Sequence, residues 1–336
     1  MMTTSTLSRI AVAGGGSWGT ALAHVLAVAG HDTTLILRDE NVARCINERH
    51  ENPRYLPGAP LHAGVRATTD MSMLAQCGAL VLAVPCQHQR LWLRSAGAYL
   101  PPNLTIVNAS KGLENGTCLP MSRVLEEELP HLATRYAVLS GPSFAAEVMA
   151  GQPTAVVLGC RDEAKGSELR ALFATPFFRC YSSADVTGVE MGGALKNVMA
   201  IAAGVCTGLG FQYNAGAALI TRGLAELSRL GAAMGATPLT FMGLSGLGDL
   251  VLTCTGRLSR NRQVGERLGR GESLEEIVSS LGMVAEGVKT AGAARELAAR
   301  FHISAPVTEA VCRILHEGAS PKDAVRELME RPLKEE

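Results

Sequence analysis

The sequence predicts an α/β protein in which a doubly wound, parallel sheet is followed by an all-helical second domain. Three observations predict it. Short apolar runs rich in β-branched residues alternate with helical patterns through the first half. After about Val186 these runs cease, and Ala-, Leu- and Gly-rich helical patterns occupy Gly188 through Met234 and Ser273 to about Met329. A glycine-rich turn follows the first apolar run directly. The 336 residues suit about two domains, and the change of texture places them at 1–187 and 188–336, with no Ser- or Pro-rich linker.

Composition bounds the possibilities. Hydrophobic residues make up 47% and charged residues 18%, below the roughly 25% of ordinary soluble domains, so a large core can form. Aromatics are only 4%, which leaves Ala, Val, Leu and Ile to build that core. Lys and Arg total 31, as do Asp and Glu. A net charge of zero argues against nucleic acid or an anionic membrane as a dedicated partner.

The expected strands are Ile10–Ala13, Thr33–Leu37, Ala79–Val84 (stopped by Pro85), Leu104–Val107, Tyr136–Leu139 (stopped by Gly141 and Pro142) and Ala155–Leu158. Their near-continuous apolar character suits strands covered on both faces. Asn197 to Thr221 carries no charge and is long enough to span a bilayer. Gln212, Asn214 and the glycines at 204, 208, 210 and 216, closed by Lys196 and Arg222, favour a buried helix pair over a membrane span. The nine cysteines form no CxxC pair, and the polar start from Met1 to Arg9 lacks a secretory apolar region. Both features predict a reducing cytosol.

Gly14-Gly15-Gly16-Ser17-Trp18-Gly19 fits G-x-G-x-x-G between a strand and a helix, the context that lends the pattern meaning. Gly14 permits the tight turn, Gly16 lets backbone approach a pyrophosphate, and Gly19 lets helix and strand pack closely. The helix N-terminus supplies N–H donors and a positive dipole to phosphates. The domain is thus Rossmann-like. Where the adenosine ribose lies, at the end of the second strand, the sequence reads Arg38-Asp39. An acid there favours NAD and an arginine favours NADP. Arg38 comes first, so NADP(H) is expected to be preferred, with NAD(H) possible.

Ser110-Lys111-Gly112 and Ser140-Gly141-Pro142-Ser143 each follow a strand, at the sheet edge where such folds bind ligands. Lys196 opens the charge-free helical segment. Burial, and a second ammonium at Lys111, would both lower its pKa and let it exchange a proton near neutrality. The alternative is a lysine that caps its helix or reaches back to water. Asp249 is the lone charge of another apolar run and is the candidate partner of Lys196, or equally a helix N-cap. Ser259, Arg260 and Asn261 stand among five arginines at 257, 260, 262, 267 and 270. The cluster suggests a grip on one phosphate group, or else a solvated helix face. None of the eight histidines has metal-ligand spacing, so no metal site is expected.

With these residues in hand, the chain resembles the bacterial NAD(P)-dependent glycerol-3-phosphate dehydrogenase family over nearly its full length. The blocks that carry the resemblance are GGGSWGTALA, NPRYLPG, SKGLE, SGPSFAAEV, GVEMGGALKNVMAIAAG, NAGAALITRGLAEL, GLGDLVLTCT, SRNR and VAEGVKT. The resemblance implies reversible reduction of dihydroxyacetone phosphate to sn-glycerol 3-phosphate, feeding glycerophospholipid synthesis, in a cytoplasmic homodimer. It implies Lys196 as proton acceptor and donor, with Lys111 and Asp249 beside it. Ser17, Trp18, Arg38, Tyr55, Lys111, Ala145, Arg260, Val284 and Glu286 would contact the dinucleotide. Lys111, Gly141, Ser143, Lys196, Asp249, Ser259, Arg260 and Asn261 would hold the substrate. Cys86 departs from the family, which often carries a hydroxyl residue there. A dehydrogenase acting on a hydroxyacyl or sugar-acid substrate would share the build without the arginine–asparagine grip. A silent dinucleotide sensor would have no use for Lys196, Lys111 and Asp249 together.

Overall fold

The computed structural model describes residues 9–281 and 285–332. The chain forms two compact units. One comprises the chain up to Lys111 together with Leu119–Val189, and the other comprises Gly112–Cys118 and the chain from Glu190 onward.

The first unit is built on one eight-stranded sheet. Its strands are β1 (Arg9–Ala13), β2 (Asp32–Ile36), β3 (Val65–Thr68), β4 (Ala79–Leu82), β5 (Thr105–Asn108), β6 (Tyr136–Ser140), β7 (Thr154–Cys160) and β8 (Phe178–Ser183). They lie in the order β3-β2-β1-β4-β5-β6-β7-β8. The first six follow the doubly wound dinucleotide-binding order, whose direction reverses between β1 and β4. Helices α1 (Ser17–Val28), α2 (Glu40–Arg49), α3 (Cys86–Ala96), α4 (Met121–Glu128), α5 (Ala145–Met149) and α6 (Glu163–Leu172) accompany it. Alternation along β1 divides the core in two. Ile10 and Val12 join one cluster with Leu22 and Leu26 of α1, while Ala11 and Ala13 join another with Leu93 of α3 and Val124 of α4. That two-sided burial is why the run reads as uninterrupted apolar sequence.

The sheet differs from the sequence expectation in three ways. β3 and β8 are additional strands at its two edges. Edge strands leave one face in water, so they alternate: Val65 and Ala67 are buried and Arg66 exposed, and Phe178 and Cys180 are buried while Arg179 and Tyr181 are exposed. A search for continuous apolar runs passes over both. β7 pairs antiparallel to β6, and the other pairs are parallel. β4 ends at Leu82, two residues short of the expected run. Ala83 and Val84 turn beside the glycine-rich segment instead, with the Ala83 N–H donating to the Ala13 carbonyl at 2.8 Å.

Helices continue with α7 (Val186–Gly208), which the division enters after Val189, and α8 (Tyr213–Ala233). The second unit then holds α9 (Asp249–Thr255), α10 (Arg260–Gly269), α11 (Leu274–Leu281), α12 (Glu286–Arg300), α13 (Pro306–His316) and α14 (Pro321–Met329). Glycine lets α7 and α10 approach to backbone contact. A Cβ at Gly204 would lie 2.0 Å from the Arg262 carbonyl oxygen, and one at Gly265 would lie 1.9 Å from that of Ile201. Among the described residues α7 is the one helix long and apolar enough to cross a membrane, yet 89% of its apolar window is buried within the protein. The expected buried pair is half right, because only the second half of α8 is covered. Its first half, from Tyr213 to Arg222, is exposed or half-buried, and Tyr213 is 90% exposed.

Candidate active site

The glycine turn leaves β1 at the point where strand order reverses. Gly14 has φ +113, and a Cβ there would lie 2.6 Å from the Ala83 carbonyl oxygen, so turn and β4 allow no side chain. At Gly19 a Cβ would fall 1.9 Å from the Gly14 carbonyl oxygen, which is how closely α1 packs on the turn. Around Gly16 a Cβ would meet nothing within 4 Å among the described residues. Gly16 is also the N-cap of α1, and among the described residues no side chain caps that helix. An open backbone face and uncapped N–H donors fit a bound pyrophosphate.

Asn52, buried completely, ties a second segment to this turn. Its amide donates to the Gly15 carbonyl at 3.0 Å and to the Thr20 hydroxyl at 2.9 Å, and its own oxygen accepts from the Tyr55 N–H at 3.2 Å. The Ser17 hydroxyl donates to the Tyr55 carbonyl at 2.9 Å. Ser17 and Tyr55 are therefore neighbours. Trp18 donates through Nε1 to the Ala109 carbonyl at 3.2 Å, anchoring α1 to the end of β5. Arg38 is exposed and makes no ion pair among the described residues. Asp39 is the N-cap of α2, its Oδ1 accepting from the N–H groups of Asn41 and Val42 at 3.0 and 3.2 Å. The acid is thus committed to the backbone while the arginine faces solvent, and together the set fits a dinucleotide.

Lys111, Gly141 and Ser143 meet at the ends of β5 and β6. The Gly141 carbonyl accepts both the Lys111 ammonium and the Ser143 hydroxyl, each at 2.9 Å. Gly141 has φ +136 and lies against β7, where a Cβ would come within 2.9 Å of the Val156 Cα. Ala145 opens α5 and packs on the β-sheet core. Cys86 opens α3 and is buried.

In the second unit Lys196 lies on α7, 6% exposed, and Asp249 at the start of α9 is fully buried. The Lys196 ammonium bonds to Oδ1 of Asp249, and it donates to the Thr253 hydroxyl at 2.8 Å. A single π-helical turn, Leu244–Gly248, leads into α9, and Gly248, not Asp249, is the N-cap. Gly192 makes the approach of α7 possible, because a Cβ there would lie 2.4 Å from the Ser245 carbonyl oxygen. Burial pushes the adjacent Cys254 thiol up to about 12 against the pull of the Lys196 charge, so it forms no thiolate near neutrality.

Three of the five clustered arginines are engaged in ion pairs. Arg262 pairs with Glu266 at 3.2 Å, Arg270 with the same carboxylate, and Arg267 with Glu272 at 2.7 Å. These pairs are local, two within α10 and its cap and one to the turn that follows. Arg257 and Arg260 make none among the described residues. Arg260 is the first residue of α10, exposed to solvent. The protein packed around its guanidinium lowers its pKa, opposed by the charge of Glu286 at the start of α12. Ser259 caps α10 by accepting from the Arg262 N–H at 3.2 Å. The Asn261 amide is buried, donating to the Asn197 side chain at 2.9 Å and accepting from the Gly287 N–H at 3.0 Å. Its side chain joins α7, α10 and α12 within the protein. Val284 lies outside the described residues.

The residue-by-residue reading missed Asn52, Thr253 and Asn197. Thr253 follows Asp249 by four residues, a spacing that places both on one helix face and could have disclosed it. Asn52 and Asn197 carry no comparable local signal.

Comparison with known proteins places the whole chain in one family. Residues 9–166 match the model of the NAD-dependent glycerol-3-phosphate dehydrogenase N-terminus, and residues 185–326 match that of its C-terminus. A glycerol-3-phosphate dehydrogenase (NAD(P)+) of Desulfovibrio desulfuricans is 60% identical over 327 residues, covering 97% of this chain and 98% of the relative. One of Lawsonia intracellularis is 52% identical, covering 97% and 95%. The crystal structure of glycerol-3-phosphate dehydrogenase from Coxiella burnetii superposes with a TM-score of 0.92 at 38% identity, over 97% of this chain and all of the other. Glycine turn, buried lysine–aspartate pair and full-length similarity lead to one conclusion: the chain belongs to the NAD-dependent glycerol-3-phosphate dehydrogenase family.

Proposed function

We propose that the protein reversibly reduces dihydroxyacetone phosphate to sn-glycerol 3-phosphate, with NADP(H) as the preferred cofactor and NAD(H) as an alternative, in a cytoplasmic homodimer. The reading divides the labour near residue 188. Residues 1–187 form the dinucleotide-binding domain and add Lys111, Gly141 and Ser143 to the substrate's contacts. Residues 188–336 carry the proton-transferring lysine and the phosphate-binding residues and add Val284 and Glu286 to the cofactor's.

The observation that carries the reading is Lys196, buried and held in direction by Asp249 and Thr253. An ammonium in such a place has no surface role and is oriented by two partners, as a proton donor must be. A nicotinamide held by these residues would supply the hydride that reduces C2 of the ketone. Lys196 is placed to give the proton that the C2 oxygen needs to become the alcohol. Asp249 stabilises the ammonium in the waiting state. Lys111, fixed on the Gly141 carbonyl, supplies a second positive charge to the developing alkoxide. Gly141 and Ser143 present polar groups to the substrate. Arg260 and the N-terminus of α10 receive its phosphate, where the helix dipole and a guanidinium act in the same sense. Ser259 and Asn261 shape that helix end through their bonds to backbone and to Asn197. Ser17, Trp18, Tyr55, Ala145, Val284 and Glu286 complete the assigned cofactor contacts, and Arg38 takes the ribose 2′-phosphate.

The test follows the absorbance of reduced cofactor with dihydroxyacetone phosphate. Wild type is expected to consume NADPH, and Lys196→Ala to lose several orders of magnitude in kcat while binding NADPH normally by fluorescence titration. Undiminished turnover by the variant would remove the lysine from the chemistry. Arg38→Ala is expected to raise KM for NADPH more than for NADH, and equal increases overturn the 2′-phosphate assignment.

A further inference from the structure

A second arginine stands at the acidic end of β2. Arg54 places Nη1 3.2 Å from Oδ2 of Asp39, and its guanidinium carbon lies 5.3 Å from the centre of the Tyr55 ring. Asp39 cannot turn away, because its other oxygen caps α2 through Asn41 and Val42. A carboxylate is thereby held where doubly wound folds place the adenosine ribose. Left alone, it would accept a hydrogen bond from a 2′-hydroxyl and repel a 2′-phosphate. The segment that carries Arg54 is not loose. Asn52 and Tyr55, on either side, are bonded to each other and to the glycine turn through Gly15 and Ser17.

The pair contributes little to folding. The side chains of Arg54 and Asp39 are 59% and 40% exposed, and ion pairs so open to solvent are nearly neutral in stability. Its consequence is local electrostatics. We infer that Arg54 is a specificity-determining residue that neutralises Asp39 and so admits a 2′-phosphorylated dinucleotide, leaving Arg38 to bind the phosphate. This deepens the NADP(H) reading above and rests on it. Arg54 acts through Asp39 and is a positioning residue.

The experiment uses the full chain and two cofactor fragments, 2′,5′-ADP and 5′-ADP, titrated calorimetrically. Wild type is expected to bind 2′,5′-ADP the more tightly. Arg54→Gln is expected to weaken 2′,5′-ADP about tenfold, the scale of one uncompensated charge at short range near a protein surface, and 5′-ADP less than twofold. In an Asp39→Asn background, where asparagine still caps α2, the same substitution is expected to change 2′,5′-ADP binding less than twofold. Equal binding of both fragments by wild type overturns the NADP(H) reading and this inference together. A wild-type preference that survives undiminished in Arg54→Gln overturns the inference alone. A tenfold loss that persists in the Asp39→Asn background shows that Arg54 acts by a contact of its own, and overturns neutralisation as its role.

Discussion

The Thr253 hydroxyl accepts the Lys196 ammonium at 2.8 Å while donating its own hydrogen to the Asp249 carbonyl at 2.6 Å. A hydroxyl has one hydrogen and two lone pairs. Because the hydrogen is spent on the helix backbone one turn earlier, only lone pairs face the lysine. The ammonium is thus held between two acceptors that belong to one short helix. Thr253→Val keeps shape and removes the acceptor. It is expected to lower kcat roughly ten- to a hundredfold, the scale of one bond to a charged group, with little change in KM for NADPH. Thr253→Ser is expected to restore most of the rate. A valine variant as fast as wild type would show that the hydroxyl does not orient the lysine.

The pairing of Lys196 with Asp249 predicts stability as well as rate. Their side chains are 8% and 1% exposed. Removing one member of a buried pair leaves a charge uncompensated, at a cost of about 3–5 kcal/mol. Asp249→Asn is therefore expected to unfold at markedly lower denaturant. Adding Lys196→Met, which withdraws the orphaned charge, is expected to recover part of the loss. A double variant no more stable than Asp249→Asn would contradict electrostatic coupling as the cause.

Asn52 joins the glycine turn to the Tyr55 segment with three hydrogen bonds from one buried amide. Asn52→Ala leaves those groups without their partner, at about 1–3 kcal/mol for each buried group left unsatisfied. The expected outcome is a lower melting temperature and a several-fold rise in the Kd for NADPH. At saturating cofactor kcat is expected to stay near wild type, since Asn52 belongs to a different unit from the lysine.

Glu226 predicts a dependence on pH. It is 1% exposed on α8, and its carboxylate receives the N–H groups of Val307 and Thr308 at 2.6 and 3.1 Å, at the start of α13. Burial pushes its pKa above the ordinary value of 4.5, although these bonds pull the other way. A group whose pKa rises on folding stabilises the fold below its unfolded pKa, and that contribution disappears as pH rises through the folded value. Relative to Glu226→Gln, wild type is expected to lose melting temperature as pH climbs from about 4.5. A difference between the two proteins that stays constant with pH would exclude proton linkage at this site.

Much of the protein could be read without coordinates. Central strands are covered on both faces, so β1, β4 and β6 appear as nearly continuous apolar runs, β2 and β5 as shorter ones beside threonine, and the turn after β1 announces itself by glycines that sterics require. Lys196 and Asp249 were legible as lone charges in apolar surroundings, because burial forces such groups to find each other. What the linear order could not disclose depends on packing. β3 and β8 are edge strands whose open faces break the pattern, and the antiparallel direction of β7 could not be read because nothing in a buried run records direction. The arginines after Gly256 read as one phosphate grip in the sequence, whereas the fold pairs Arg262 and Arg270 with Glu266 at helical spacing and Arg267 with Glu272 in the turn after α10. Sequence order also left Asp39 a rival of Arg38, whereas the fold engages it twice, as a helix cap and as the partner of Arg54. Residue types and their local spacing follow from short-range sterics and burial. Which polar group meets which, across tens of residues, is decided only when helices and strands come into contact.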